Sequence, residues 1–167
     1  IGFNPTSSPG DLDFGTLYVG VADGGSGGDP MDLAQNLGSA FGKIFRIQPL
    51  GSNSSNGRYG IPADNPYADG STEGALAEIY ASGVRNPQRF GWDMANGNMY
   101  VADIGQNIIE YLSPVTLGAD LGWNTWEGSY RFISRQEVGL EAPRAEAGIT
   151  FPTAEYGQLD PLLQRSS

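Results

Sequence analysis

The sequence contains neither cysteine nor histidine. Without cysteine, these residues cannot form a disulfide, a zinc–thiolate site or a thiol nucleophile. Without histidine, a Ser-His-Asp triad and a histidine metal site are excluded within them as well. Any general base supplied by these 167 residues would therefore have to be a carboxylate.

Positive charge is scarce, because nine lysine and arginine residues stand against 19 aspartate and glutamate residues, a net charge of −10. There is no basic patch that could neutralise phosphates, so the composition argues against a nucleic-acid partner. It argues equally against an anionic membrane surface. No apolar run approaches the length that spans a bilayer, so we expect no membrane insertion.

Glycine and proline are abundant, with 25 and 11 residues, whereas charged residues make up only 17% of the chain. Many glycines with few charges are typical of short strands joined by many turns. The composition therefore predicts an all-β protein rather than a helical one.

The clearest local pattern is Asn96-Gly97 between two aromatic-rich apolar runs, Arg89–Asp93 and Asn98–Asp103. Asn-Gly favours a two-residue hairpin turn, because both central positions of a type I′ turn need a positive φ. We therefore predict an antiparallel hairpin here.

A second copy of this pattern lies upstream. Gly15-Thr16-Leu17-Tyr18-Val19 matches Gly97-Asn98-Met99-Tyr100-Val101, and each phrase continues to an Ala-Asp pair. The matched tyrosines are about 80 residues apart, which is longer than a compact propeller blade. The polar loop 50–72 accounts for the excess. The match predicts repeated four-stranded units, unless two ordinary hairpins agree by coincidence.

Four further strands are predicted from alternating or β-branched runs: 43–48, 78–81, 109–115 and 148–151. The segment 32–38 is predicted to form one or two helical turns capped by Asp29 or Asp32. The segment 137–147 reads as an exposed connection.

Several long phrases in a fixed order resemble the glucose/sorbosone dehydrogenase family, which includes aldose-sugar dehydrogenases and the propeller of hedgehog-interacting proteins. The phrases are Asp23-Gly24-Gly25, Ala34-Gln35-Asn36, Val84-Arg85-Asn86-Pro87-Gln88, Asp103-Ile104-Gly105-Gln106 and Gly118-Ala119-Asp120-Leu121-Gly122-Trp123. The likeness extends from Ile1 to about Phe132 and is weaker beyond.

The resemblance implies a six-bladed β-propeller of four-stranded antiparallel sheets, with a cofactor site at one mouth of the central channel. The chain is long enough for about three blades. We therefore expect residues 1–167 to be the central portion of such a domain, cut at both ends. The family's catalytic histidine is expected just upstream of Ile1, so no catalytic residue is assigned within the sequence. A part of a propeller is expected to have no activity alone.

Arg85 and Asn86 match the Arg-Asn pair that binds the quinone in active members of the family. A guanidinium offers a rigid fork of donors to a quinone oxygen. The alternative is structural: Arg85 pairs with a carboxylate and Asn86 caps the turn before Pro87.

Gly105 and Gln106 match the loop whose main-chain carbonyls hold calcium in the family. Calcium takes oxygen ligands, and glycine lets a backbone approach closely. The sequence departs from the family pattern at Ile104, which replaces a quinone-binding glutamine. The resemblance implies that the 85–86 and 105–106 loops converge at the axial opening.

Other polar residues have two interpretations each. Asp23 and Asp29 either form a cation site or serve the turns of the glycine-rich loop. Glu110 either supports the calcium loop from behind or is a charge at a strand edge. Trp123 and Trp126 are interpreted as packing between blades.

Two functions follow from the resemblance. The first is an oxidoreductase whose full-length form uses pyrroloquinoline quinone (PQQ) and calcium to oxidise the C1 hydroxyl of a small sugar, an aldose, in a secreted or periplasmic location. The second is a propeller that has lost redox chemistry and binds a carbohydrate or protein, as in the hedgehog-interacting branch. Ile104 favours the second function.

Overall fold

A computed structural model describes residues 1–159 and contains eleven β-strands. The strands are β1 (Gly2–Phe3), β2 (Leu17–Val21), β3 (Lys43–Ile47), β4 (Ile79–Ser82), β5 (Pro87–Trp92), β6 (Met99–Asp103), β7 (Ile109–Val115), β8 (Trp126–Glu127), β9 (Tyr130–Ser134), β10 (Glu137–Gly139) and β11 (Ala154–Gly157). In this range no helix is long and apolar enough to cross a membrane. The all-β prediction is confirmed.

The strands form two four-stranded sheets and one three-stranded sheet, and every pair within them is antiparallel. The first sheet has the order β1-β2-β3-β4 and the second β11-β7-β6-β5. The third sheet, β10-β9-β8, lies in sequence between β7 and β11, and it has one strand fewer than a complete blade. This architecture agrees with part of a propeller.

The two matched hairpins occupy equivalent places. Strands β2 and β6 are each the second strand of their sheet, paired with the first strand, β1 or β5. The predicted hairpin connects β5 to β6, but its turn is not the two-residue type I′ turn that was predicted. Gly97 has φ 75° while Asn96 does not have a positive φ, and Asp93 N–H bonds the Asn98 carbonyl across a four-residue loop. The repeat found in the sequence is therefore a structural repeat.

The first and second sheets pack face to face through apolar side chains. The ring of Tyr18 in β2 meets Trp92 of the second sheet at 5.1 Å between centroids, edge to face, and it meets Tyr80 of its own sheet at 5.0 Å in the same way. The buried cluster around these rings consists of Tyr18, Ile44, Ala81, Val84, Met99, Val101, Val115, Ala119 and Leu121. Trp123 and Trp126 are also buried, as predicted, with 0% and 3% of their surface exposed.

Strands β1 and β5, which lie at sheet edges, are neighbours in space. A Cβ added at Gly2 would lie 3.4 Å from Phe90, and one at Gly20 would lie 3.1 Å from Pro87. Glycine at these positions lets the two sheets approach closely. The close approach brings the loop before β5 to the boundary between the sheets.

Three local predictions were wrong in whole or in part. The segment 137–147, predicted to be an exposed connection, begins with strand β10 at Glu137–Gly139. Residues 32–38 form turns with one bond of helical spacing, from Asn36 N–H to Asp32 O, because the carbonyls of Leu33 and Ala34 accept hydrogen bonds from Lys43 Nζ instead. Residues 148–151 form no strand. Ile149 makes a single bridge to Asp120, and Pro152 has no N–H with which to extend the pairing.

Candidate functional site

The loop between β4 and β5 carries Arg85 and Asn86 and is fixed by a buried carboxylate. Asp103, the last residue of β6, accepts a hydrogen bond from Arg85 N–H at 2.9 Å and one from Asn86 N–H at 2.6 Å. Asp103 is only 2% exposed. Burial raises the pKa of Asp103 to about 7, although both N–H groups act to lower it.

The Arg85 side chain crosses to the loop that follows β6. Its Nη1 atom donates to the Ile104 carbonyl at 3.0 Å and to the Gly105 carbonyl at 2.8 Å. Its Nε atom is buried and has no hydrogen-bond partner among residues 1–159. The two loops predicted to converge are therefore in direct contact.

Gly105 is required by close approach of the backbone. A Cβ at this position would lie 1.7 Å from the Ile109 carbonyl oxygen and 2.8 Å from Glu127 Oε1. Its neighbour Gln106 is 6% exposed, and the side-chain oxygen of Gln106 accepts a hydrogen bond from Gly28 N–H at 2.8 Å. Gln106 thus ties this loop to the glycine-rich loop.

Glu127 in β8 is a site residue that sequence reasoning missed. Its Oε1 accepts hydrogen bonds from the N–H groups of Asn107, Ile108 and Ile109 at 3.2, 3.1 and 3.1 Å. The side chain is 0% exposed, and Oε2 has no partner in the described range. The sequence signal that could have identified Glu127 is its position between Trp126 and Gly128. An acidic side chain buried beside an aromatic residue needs hydrogen-bond donors from another segment.

Glu110 lies behind the loop, as one of its two interpretations predicted. Its carboxylate accepts hydrogen bonds from Gly105 N–H at 3.2 Å and from the Gln158 side chain at 2.6 Å. Burial raises the pKa of Glu110 above its usual value, although the Gly105 N–H acts to lower it. Glu110 therefore holds the backbone of this loop, and it also lines a cavity of about 300 Å³ together with Asp103 and Ile104.

The glycine-rich loop uses its two aspartates for internal bonds. Asp23 accepts from Gly25 N–H at 2.9 Å and from Trp123 Nε1 at 2.9 Å. Asp29 accepts from Leu33 N–H at 3.0 Å and Ala34 N–H at 2.8 Å. These contacts fit the turn interpretation.

Two adjoining cavities lie beside the Arg85–Asn86 loop and share Ala22 and Asn86. One, of about 330 Å³, is lined by Arg85, Asp23, Gly24 and Phe41 among others. The other, of about 440 Å³, runs along β5 past Gln88. The main-chain N–H and carbonyl of Asn86 make the bonds that fix its loop. Both volumes are within the range of small-ligand sites.

The calcium role predicted for the main-chain carbonyls of Gly105 and Gln106 stays a prediction. The Gly105 carbonyl accepts a hydrogen bond from Arg85 Nη1, and the Gln106 side-chain oxygen accepts one from Gly28 N–H. Residues 1–159 include no group of three or more histidine, cysteine, aspartate or glutamate side chains placed to hold a metal ion. The predicted calcium role gains no support from the geometry.

The glucose/sorbosone dehydrogenase family model matches residues 10–157. The chain is 35% identical over 151 residues to the HIPL2 protein of Arabidopsis thaliana, an alignment that covers 85% of the chain and 21% of that relative. The chain thus spans about a fifth of the length of this curated relative.

Two solved structures resemble the fold. The PQQ-bound aldose sugar dehydrogenase of Streptomyces coelicolor superposes with a TM-score of 0.57 and 25% identity, covering 85% of this chain and 32% of that one. The soluble aldose sugar dehydrogenase of Escherichia coli in its apo form gives a TM-score of 0.64 at 20% identity, covering 87% and 38%. The chain corresponds to about a third of each.

Proposed function

The chain belongs to the glucose/sorbosone dehydrogenase family, and we propose that the protein containing it is an oxidoreductase that oxidises the C1 hydroxyl of an aldose with PQQ. The observation that carries this proposal is the contact between the Arg85–Asn86 loop and the 104–106 loop beside two cavities. A relative of known structure is described as PQQ-bound. By the same likeness, we propose a secreted or periplasmic location.

Arg85 and Asn86 are the residues that would hold the quinone. The Arg85 guanidinium uses Nη1 for two carbonyls, and its Nη2 makes no hydrogen bond among residues 1–159, so the side chain still has donors for a ligand. Asn86 lines both cavities and is held in place by its main-chain hydrogen bonds. Its side-chain carboxamide can therefore bind a ligand. When bound, PQQ supplies the acceptor for a hydride.

In this proposal, the role of the chain's own residues is to bind and orient the quinone. Asp103 accepts hydrogen bonds from the main-chain N–H groups of Arg85 and Asn86, so both side chains project from a rigid loop. The base that takes the sugar's hydroxyl proton lies outside these residues in this proposal, because they contain no histidine. No step is assigned to calcium.

The test uses full-length protein with PQQ and an aldose. We expect a PQQ absorbance change on binding and dye reduction on addition of sugar. Asn86→Ala should weaken PQQ binding roughly tenfold, since losing one hydrogen bond to a ligand costs about 1–1.5 kcal/mol. Asn98→Ala is the matched control, because Asn98 is exposed in the β5–β6 turn. Absence of both PQQ binding and turnover in the unmodified protein would overturn the proposal.

A second candidate is a propeller that binds a carbohydrate or protein partner without redox chemistry. Ile104 favours it, since its side chain can neither donate nor accept a hydrogen bond where the family pattern has a glutamine. The 35% identity to HIPL2 is also consistent with it. Saturable polysaccharide binding, with no PQQ spectrum and no turnover, would select this candidate over the first.

A further inference from the structure

Phe41 is an aromatic residue that stays partly uncovered at the wall of a cavity. It is 45% exposed, and it lines the cavity of about 330 Å³ that Arg85 and Asn86 also line. In contrast, the core residues Tyr18 and Trp123 are 2% and 0% exposed. An aromatic surface next to a few polar groups in a concave site is the usual composition of a small-ligand pocket.

The position of Phe41 is fixed through its main chain and does not depend on its ring. The Phe41 carbonyl accepts a hydrogen bond from Lys43 Nζ at 2.8 Å, and the Phe41 N–H donates to Ser39 Oγ at 3.1 Å. Lys43 is itself 0% exposed. Because the backbone is already held in place, a ligand that packs on the ring loses little affinity to ordering of the segment.

The glycine-rich loop supports one part of the Phe41 ring. A Cβ added at Gly24 would lie 3.3 Å from both Cγ and Cδ1 of Phe41, and Gly24 has φ 91°. Glycine at position 24 therefore lets the ring lie against the loop without a clash. The remaining apolar surface of the ring is available to a ligand in the cavity.

The adjoining cavity of about 440 Å³ provides separate space for the second ligand that the proposed reaction needs. It meets the first cavity at Ala22 and Asn86 and continues past the polar side chains of Gln88 and Arg89. A quinone that carries carboxylates fits polar surroundings, whereas the C–H face of a sugar ring fits an exposed phenyl group. The two cavities can therefore hold a quinone and a sugar side by side.

We propose that Phe41 is a binding residue for the sugar, and that the C–H face of an aldose ring packs on its phenyl ring. This role rests on the proposed function, which supplies the sugar, and it applies equally to the candidate that binds a carbohydrate without redox chemistry. The contact is stabilised by removing apolar surface of both rings from water.

Steady-state kinetics and PQQ titration of the full-length protein test this role with glucose as the probe. Phe41→Ala should raise the KM for glucose roughly tenfold, which is the factor expected for loss of one aromatic contact, and should change kcat less. The Kd for PQQ should not change. Phe41→Tyr keeps the flat ring and should keep the KM of the unmodified protein. Phe41→Leu is apolar but not flat, so its KM should lie between those of Phe41→Tyr and Phe41→Ala.

Phe14→Ala is the matched control. Phe14 is 52% exposed and precedes β2, whereas the cavity that contains Phe41 lies at the other end of this strand. An unchanged KM in Phe41→Ala would overturn the proposed role. A weaker affinity for PQQ with an unchanged KM would also overturn it, because the quinone would then be the ligand that packs on Phe41.

Failure of the proposed redox function would be visible separately, as absence of PQQ binding and turnover in the unmodified protein. Calorimetric titration with glucose then tests Phe41 without the redox reaction. Weaker glucose binding by Phe41→Ala than by Phe14→Ala would support its role in sugar binding. Equal binding by the two variants, or no binding to the unmodified protein, would overturn that role.

Discussion

Lys43 and Arg85 both direct a positive charge at main-chain carbonyl groups, but their surroundings differ. Lys43 is 0% exposed, and Nζ donates to the carbonyls of Leu33, Phe41 and Ala34 at 2.9, 2.8 and 2.7 Å. All three ammonium donors are used. Arg85 is only partly buried, reaches two carbonyls through one nitrogen and leaves Nε buried without a partner in the described range.

Lys43 therefore has all of its hydrogen-bond donors satisfied within the fold, whereas Arg85 still has donors that are not used. A buried ammonium with every donor satisfied fixes one loop geometry, because any movement exposes an unpaired charge. Arg85 stands at the edge of a cavity with donor capacity unused. We infer that Lys43 serves the fold and that Arg85 serves the site, and three measurements test this contrast.

The largest effect is expected at Lys43. Lys43→Met removes the ammonium donor from the carbonyls of Leu33, Ala34 and Phe41, although the Ala34 carbonyl keeps the Gly83 N–H as a donor. Each buried acceptor left unsatisfied costs about 1–3 kcal/mol, so the other two carbonyls predict a loss of about 2–6 kcal/mol. Denaturant unfolding of the full-length protein measures this loss. Arg58→Met, which removes a charge from an exposed loop, should change the free energy of unfolding by less than about 0.5 kcal/mol. If Lys43→Met lowered the free energy of unfolding by less than about 1 kcal/mol, the 33–41 segment would be held by contacts other than those of Lys43.

The second effect is the pH dependence that Lys43 imposes on stability. Burial lowers the pKa of Lys43 to about 8, against the raising effect of Asp29. Between about pH 8 and the unfolded pKa of about 10.4, the unfolded chain binds more protons than the native one, so this residue makes stability rise with pH. From pH 8 to 9.5 the gain is about 1–2 kcal/mol.

Subtracting the Lys43→Met profile isolates this contribution from those of other groups. The pH window stays below 10 because Tyr18, whose pKa is raised mainly by burial, contributes in the opposite direction when the unfolded chain ionises. Parallel profiles for the two proteins would contradict the lowered pKa of Lys43.

How much could be predicted from the sequence depends on which atoms make the contact. The Asn96-Gly97 hairpin and the repeat of β2 in β6 were predictable, because side-chain alternation and turn chemistry record them directly. The convergence of Arg85 with Gly105 followed from the resemblance alone, since the two residues are 20 positions apart with β5 and β6 between them.

The roles of Lys43, Asp103 and Glu127 were not predictable, for a common physical reason. Each side chain bonds to main-chain atoms of a loop outside its own strand, and every residue type except proline carries the same N–H and carbonyl groups. A sequence pattern therefore shows a buried charge in a strand without showing which loop satisfies it. The helix predicted at 32–38 failed for the same reason, because Lys43 takes carbonyls that a helix would have used.

The smallest effect is expected for the stability of Arg85→Met. The substitution loses two hydrogen bonds to carbonyls, but it also removes a buried Nε that lacks an acceptor, and such an orphan costs about 1–3 kcal/mol in the native state. The two contributions oppose each other, so the free energy of unfolding should fall by only about 1 kcal/mol. Denaturant unfolding beside Lys43→Met and the exposed control Arg89→Met gives the comparison. If Arg85→Met lost as much unfolding free energy as Lys43→Met, Arg85 would have a structural role like that of Lys43. The proposal that its unused donors bind a ligand would then be contradicted.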